Sequence, residues 1–307
     1  MRSPTAAILL LAAMATAMAQ TPPPVTSAPE TVYSEAQRDM DETLSRRAVE
    51  GVLDQADGTE NGQYARWKVP VCFNVYGLSP LAKYQIERRM KDIAHQVGAL
   101  VDGQDDCAPN ILIAFTPEPK ATLESIVKVR PWLVPGLGMI RSRTRESLPI
   151  QAWYSIALTG KGGRPALVYD GYDEEPRIFA AASLNRLGSG LSSQIMAVTM
   201  VVDTKAIMGM NLLTLADHFA LMTLVQARAT ARCRDFPTIA NLMTKTCDPS
   251  NTAQTITDKD IALLTAHYAV TDDRMELLQG LRIMGTMRRT LESQVTGKDV
   301  PEKTGRP

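Results

Sequence analysis

The stretch from Lys68 to Pro117 constrains this chain most. "KVPVCFNVYG" (68–77) is β-branched and aromatic with partial alternation, which reads as a strand. Ser79 and Pro80 follow as an N-cap and a first helical residue. Ile86, Met90, Ile93, Val97 and Leu100 then recur at steps of 4, 3, 4 and 3, one apolar face of a helix that Gly103 is expected to end. "NILIAFTP" (110–117) is a second, buried strand. Two strands joined by a long helix are expected to be parallel, with a right-handed crossover.

This unit bears on the four cysteines, which allow three pairings. Cys72 lies in the first strand and Cys107 just before the second, so the two come close in space. Cys233 and Cys247 bound a short loop. The expected bridges are therefore Cys72–Cys107 and Cys233–Cys247, the second contributing about 3 kcal/mol by chain entropy. A zinc site made from the four thiolates is set aside, because no CxxC pair is present. Disulfides belong to an oxidising compartment, and the N-terminus points the same way. "MRSPTAAILLLAAMATAMAQ" has Arg2, an apolar run from Ala6 to Ala13, and Ala17-Met18-Ala19 before Gln20. That is the pattern of a cleavable signal peptide cut after Ala19, and it places the mature chain in the periplasm or outside the cell. No later run reaches 18 apolar residues, so no transmembrane segment is expected in the mature chain. With 33 basic and 33 acidic residues there is no excess charge for nucleic acid.

The organisation reads as a signal peptide (1–19), a Pro-rich linker (20–34), an N-terminal surface helix (35–62), one α+β domain (63–295) and a polar tail (296–307). Within the domain a short helix over 122–132 is broken at Pro131. "PIQAWYSIAL" and "PALVYDGY" form a hairpin around "TGKGGR". "GKGG" lacks the spacing of a phosphate-binding loop. "IMAVTMVVD" is a strand, followed by helices over Asn211–Arg228, Asp258–Tyr268 and Asp272–Leu291. No GxSxG occurs, and "GSGLSS" around Ser189 lacks that setting. The acidic run "YDGYDEEP" (Asp170, Asp173, Glu174, Glu175) reads as a solvated loop.

The helix carrying "TLADHFALM" (214–222) holds the residues worth weighing. Thr214 and Asp217 fit a capping box, which puts Asp217 at the helix start. His218 shares its side with Leu221, Met222 and Val225 and reads as a hydrogen-bonded core histidine.

Downstream, "ITDKDIALLTAHY" (256–268) resembles the segment after the zinc-binding helix of matrixin-like metallopeptidases. Thr257 and Asp260 form a capping box there, and Ile261, Leu264 and Tyr268 share one face. "TIANLMTK" sits where that family places its methionine turn, with Met243 as the candidate. The likeness runs from Met196 to Tyr268 in pattern and covers the βαβ unit in topology. It implies a zincin-like α+β fold: a mixed twisted sheet, a long helix after the first strand, a buried central helix and C-terminal helices.

The likeness also shows a loss. With His218 in the second histidine position, Thr214, Leu215 and Leu224 replace the first histidine, the glutamate and the third histidine. The only other histidines, His95 and His267, are not spaced i, i+4 from it or from each other. A catalytic zinc needs three protein ligands, so no metal and no cofactor is expected. The resemblance then implies a secreted pseudoenzyme that binds a peptide, envelope component or partner protein. An envelope hydrolase using Asp217 and His218 is the alternative. "PIQAWYSIAL" is the expected edge strand for β-augmentation. Trp153 and Tyr154 would flank its groove, and Arg141, Arg143 and Arg145 would supply charge. Strand packing for the two aromatics, and a solvated face for the arginines, are the plainer readings. The sequence leaves the oligomeric state open.

Overall fold

The computed structural model describes residues 34–54, 63–104, 106–130, 133–134, 148–159, 165–168, 177–178, 192–228, 232–244, 246–270 and 276–297. All lie within one unit, Tyr33–Pro307. The first helix, α1 (Glu35–Val52), starts at Ser34, whose hydroxyl accepts the Gln37 N–H at 3.1 Å. It buries Ala48, Val49 and Val52.

The βαβ unit forms as read. β1 (Phe73–Tyr76) and β2 (Ile111–Thr116) pair in parallel from Phe73↔Ile111 to Tyr76↔Ala114. Between them α2 (Pro80–Gln96) is capped by Ser79 and buries Ile86, Met90 and Ile93. It ends before Gly103. Gly98 comes first and takes φ +82°, open to glycine and unfavourable for other residues. Gly98 N–H then donates to the His95 carbonyl (3.2 Å) and Ala99 N–H to that of Ala94 (2.9 Å), closing a Schellman motif. After β2, α3 (Pro119–Val129) starts earlier than the periodicity placed it, because Pro119 suits the first helical turn.

β3 (Ile150–Thr159), β4 (Pro165–Val168), β5 (Arg177–Ile178) and β6 (Ser192–Asp203) complete a mixed sheet. Its order among the described residues is β1-β2-β6-β3-β4-β5. β6 is parallel to β2, and β3 is antiparallel to β6. β3 is therefore not an outer strand of the sheet. It pairs with β6 from Ile150↔Val202 to Thr159↔Ser192, and the hairpin adds β4 beyond it at Leu158 and Thr159. The "GKGG" loop, the acidic run and Ser189 lie outside the described residues.

Three helices follow: α4 (Leu212–Leu224), α5 (Asp258–Ala269) and α6 (Glu276–Thr296). α4 stops short of Arg228 because Val225 becomes extended (φ −129°, ψ 160°) and bridges to Arg66. α4 packs on α2, and α1 and α5 pack on α6. The main core brings Ile86, Met90 and Ile93 of α2 against Ile111, Ile113 and Met200 of the sheet and Leu215 and Phe219 of α4. A second cluster on the other face joins Leu123 of α3 to Trp153, Ala197 and Val201. The fold is thus α+β, a mixed sheet with helices against both faces.

Both expected disulfides are formed, Cys72–Cys107 and Cys233–Cys247. Among the described residues no helix is long and apolar enough to cross a membrane. The stretch read as a signal peptide lies outside them.

Candidate functional site

α4 begins two residues before Thr214. The Asn211 side chain accepts the N–H groups of Leu213 (2.8 Å) and Thr214 (3.4 Å), which makes Asn211 the N-cap. The capping box expected at Thr214 and Asp217 is therefore not present. The Thr214 hydroxyl donates instead to the Gln254 carbonyl (2.7 Å).

Asp217 sits inside the helix, 1% exposed. Its own helix has no free N–H to offer there, and a buried carboxylate needs donors. They come from elsewhere. Arg89 of α2 grips both oxygens, Nε to Oδ1 at 2.6 Å and Nη2 to Oδ2 at 3.2 Å. Ile256 N–H, just ahead of α5, donates to Oδ2 at 2.8 Å. Asp217 thus ties α2 and the approach to α5 onto α4, and its bond to Arg89 raises that guanidinium's pKa.

His218 is 3% exposed. Its Nδ1 lies 2.9 Å from the Ile239 carbonyl, which can only accept, so Nδ1 carries the proton. Burial pushes this imidazole down to about 4. The bond to Ile239 opposes the shift, and the charge of Arg234 adds to it. His218 is therefore a neutral donor at pH 7. Its hydrogen-bond partner differs from those of Asp217.

Ile239 belongs to a short turn (Ile239–Asn241) that leads to Met243, which packs half-buried against the core. This turn is heavily braced. The Asp260 carboxylate takes the Thr238 hydroxyl, the Ile239 and Thr257 N–H groups (both 3.0 Å) and the Thr257 hydroxyl (2.8 Å). The Thr257–Asp260 capping box read from the sequence is part of that set. Burial pushes the Asp260 pKa up while those donors pull it down. Buried Asn241 donates to the carbonyls of Arg234, Phe236 and Asn251. Arg234, lowered to about 10 by burial, donates to Gly51 (2.8 Å), Ala240 (3.1 Å) and Arg228 (3.1 Å).

The other end of α4 is finished by side chains from three directions. The last carbonyls of a helix have no partner within it. Here the Tyr154 hydroxyl donates to Met222 (2.6 Å), Trp67 Nε1 to Thr223 (2.8 Å) and the Tyr268 hydroxyl to Leu224 (2.6 Å). The Tyr154 oxygen also accepts from Ala227 N–H (3.2 Å).

Trp153 and Tyr154 therefore do not flank a groove. Adjacent strand residues point to opposite faces, and both faces of this sheet are covered. Trp153 is buried against Leu123, Ala197 and Val201, and Tyr154 caps α4. Replacing Tyr154 with Phe should cost about 1–2 kcal/mol, because one carbonyl and one N–H lose their partner. Urea unfolding at neutral pH measures it, and an unchanged midpoint would remove the capping role.

No protein-family model matches the chain, and no curated protein or solved structure matches it. Its chemistry must be read from the residues themselves. Among the described residues no group of three or more His, Cys, Asp or Glu side chains could hold a metal ion. Arg141, Arg143 and Arg145 lie outside the described residues.

Sequence reasoning missed His267. This side chain of α5 is buried, and neither ring nitrogen has a hydrogen-bond partner among the described residues. Burial and the charge of Arg66 push it down to about 3; a loose interaction with the Ala65 backbone, short of hydrogen-bond geometry, works the other way. Arg66 itself donates to the carbonyls of His267, Tyr268 and Val270, closing the end of α5.

Proposed function

We propose that this is a secreted or periplasmic protein with a zincin-like fold that has lost its zinc site. It acts by binding a peptide, an envelope component or a partner protein. The parallel βαβ unit supports the fold reading, as do an antiparallel strand beside β6, a buried helix directly after β6, and a turn at Met243 lying under that helix. Two formed disulfides and the signal-like N-terminus support the compartment.

One observation carries the non-catalytic reading. Asp217 and His218 are buried, and each is spent on holding other segments in place. A general acid or base must come within hydrogen-bond reach of a substrate. Neither side chain is free to do so without dismantling the packing of α2 or the Met243 turn.

The test is metal content together with heat. The purified mature protein is expected to carry far less than one zinc per chain, and EDTA should leave its Tm unchanged. Stoichiometric zinc, with a Tm that drops on chelation, would instead favour the envelope hydrolase.

A further inference from the structure

Among the described residues β1 is an outer strand, and its outward side is already partly occupied. The Cys72 carbonyl accepts Ile111 N–H (3.0 Å), so Cys72 and Asn74 turn their backbone groups toward β2. By alternation Val71, Phe73 and Val75 turn theirs away. Val71 N–H donates to the Leu100 carbonyl (2.9 Å), and Val75 N–H to Glu87 Oε1 (2.9 Å). Between these two, the N–H and C=O of Phe73 face outward with no partner among the described residues.

Phe73, itself buried, lines an open groove of about 450 Å³ between β1 and α2, with the Cys72–Cys107 bridge in its wall. That volume is within the usual range for a ligand site. The groove's charges are unbalanced in use. Glu87 holds Val75 N–H and lies 3.7 Å from Lys83, and Asp92 is the other acid of the lining, set against Lys83, Arg88 and Lys91. Arg88 and Lys91, one helical turn apart, line the same groove with no acidic partner among the described residues. His95 continues their row one turn further along.

We propose that this groove binds an extended acidic peptide segment. The segment adds to β1 through the free backbone groups of Phe73 and sets its carboxylates against Arg88 and Lys91. Strand addition supplies affinity through the main chain and specificity through alternate side chains. The site is separate from α4, and the proposal stands whether or not the chain binds zinc.

The probe is a fluorescein-labelled hexapeptide alternating threonine and glutamate, followed by anisotropy on the full disulfide-bonded chain. Saturable binding is expected, and it should weaken as salt rises. The variant R88E/K91E, altered at two surface positions, should bind about tenfold more weakly, the sum of two partly exposed ion pairs turned repulsive. N-methylating alternate amides of the peptide should weaken binding while leaving every charge in place. A lysine-for-glutamate peptide should not bind. No saturable binding at all would overturn the proposal. So would equal binding by the lysine peptide, indifference to R88E/K91E, or indifference to N-methylation. Phosphatidylglycerol vesicles that bind through Arg88 and Lys91 where the peptide does not would assign the groove to a lipid surface instead.

Discussion

Acidification from pH 7 to pH 4 should remove on the order of 5 kcal/mol of folding stability, a third or more of the roughly 5–15 kcal/mol that holds a typical domain folded. His218 and His267 are the cause. Their pKa values in the fold are about 4 and about 3, against 6.5 in the unfolded chain, chiefly because burial disfavours the charged ring. Between those values the unfolded chain binds more protons than the fold. The stability is complete above pH 6.5 and is lost as pH falls toward 4 and then 3. Each histidine contributes a slope of up to about 1.4 kcal/mol per pH unit.

The positive charges of Arg234 near His218 and of Arg66 near His267 push in the same direction as burial. Asp260 works in the opposite direction. Its raised pKa lets the fold take up a proton before the unfolded chain does, which returns part of the loss at low pH. Urea midpoints measured from pH 7.5 to 4.5 read the sum. The variant His267→Leu separates the parts. His267 uses neither ring nitrogen, so leucine abandons no partner and should flatten the profile while raising acid stability. A midpoint that stays level below pH 6.5, or a slope that His267→Leu leaves unchanged, would contradict this account.

Replacing Asp217 with alanine should cost about 3 kcal/mol. Losing one partner of a buried ion pair costs about 3–5 kcal/mol when the other charge is stranded. Arg89 is a third exposed, so it can turn toward water, and the cost falls at the lower end. The part-buried N–H of Ile256 also loses its acceptor, which adds to the loss. A double-mutant cycle with Arg89→Ala should show strong coupling, because the second change removes a charge the first has already released. Asp217→Asn should fall between the two: its oxygen still accepts from Ile256, but its amide meets another donor in Arg89. A neutral Asp217→Ala would mean that the clamp between α2, α4 and the approach to α5 contributes nothing.

Much of this was legible wherever the signal is local. Ser79 with Pro80, and Thr257 with Asp260, mark helix starts that form as read. The cysteine pairing followed from the βαβ unit and loop length. Local pattern also misled. Val97 and Leu100 continue the apolar period of α2, yet Gly98 between them ends the helix. Thr214 and Asp217 match a capping box, yet Asn211 is the stronger cap and comes earlier. The period-2 alternation of a strand already separated Trp153 from Tyr154, which argues against one groove holding both. The residues that bind the fold together carried no local mark at all. Arg89 and Asp217 are 128 positions apart, Arg234 and Gly51 183, and Arg66 and Val270 204. Only the folded chain brings each arginine to its acceptors.

The end of α4 has a consequence for how this chain reaches its native state. Its last three carbonyls wait for donors 68, 156 and 44 residues away in sequence. The helix cannot be completed from its own neighbourhood, so it gains little until the strand, the segment before β1 and α5 have all arrived. Such an element ties folding to a single cooperative event. It also means that no fragment trimmed of any of these stretches retains a finished central helix.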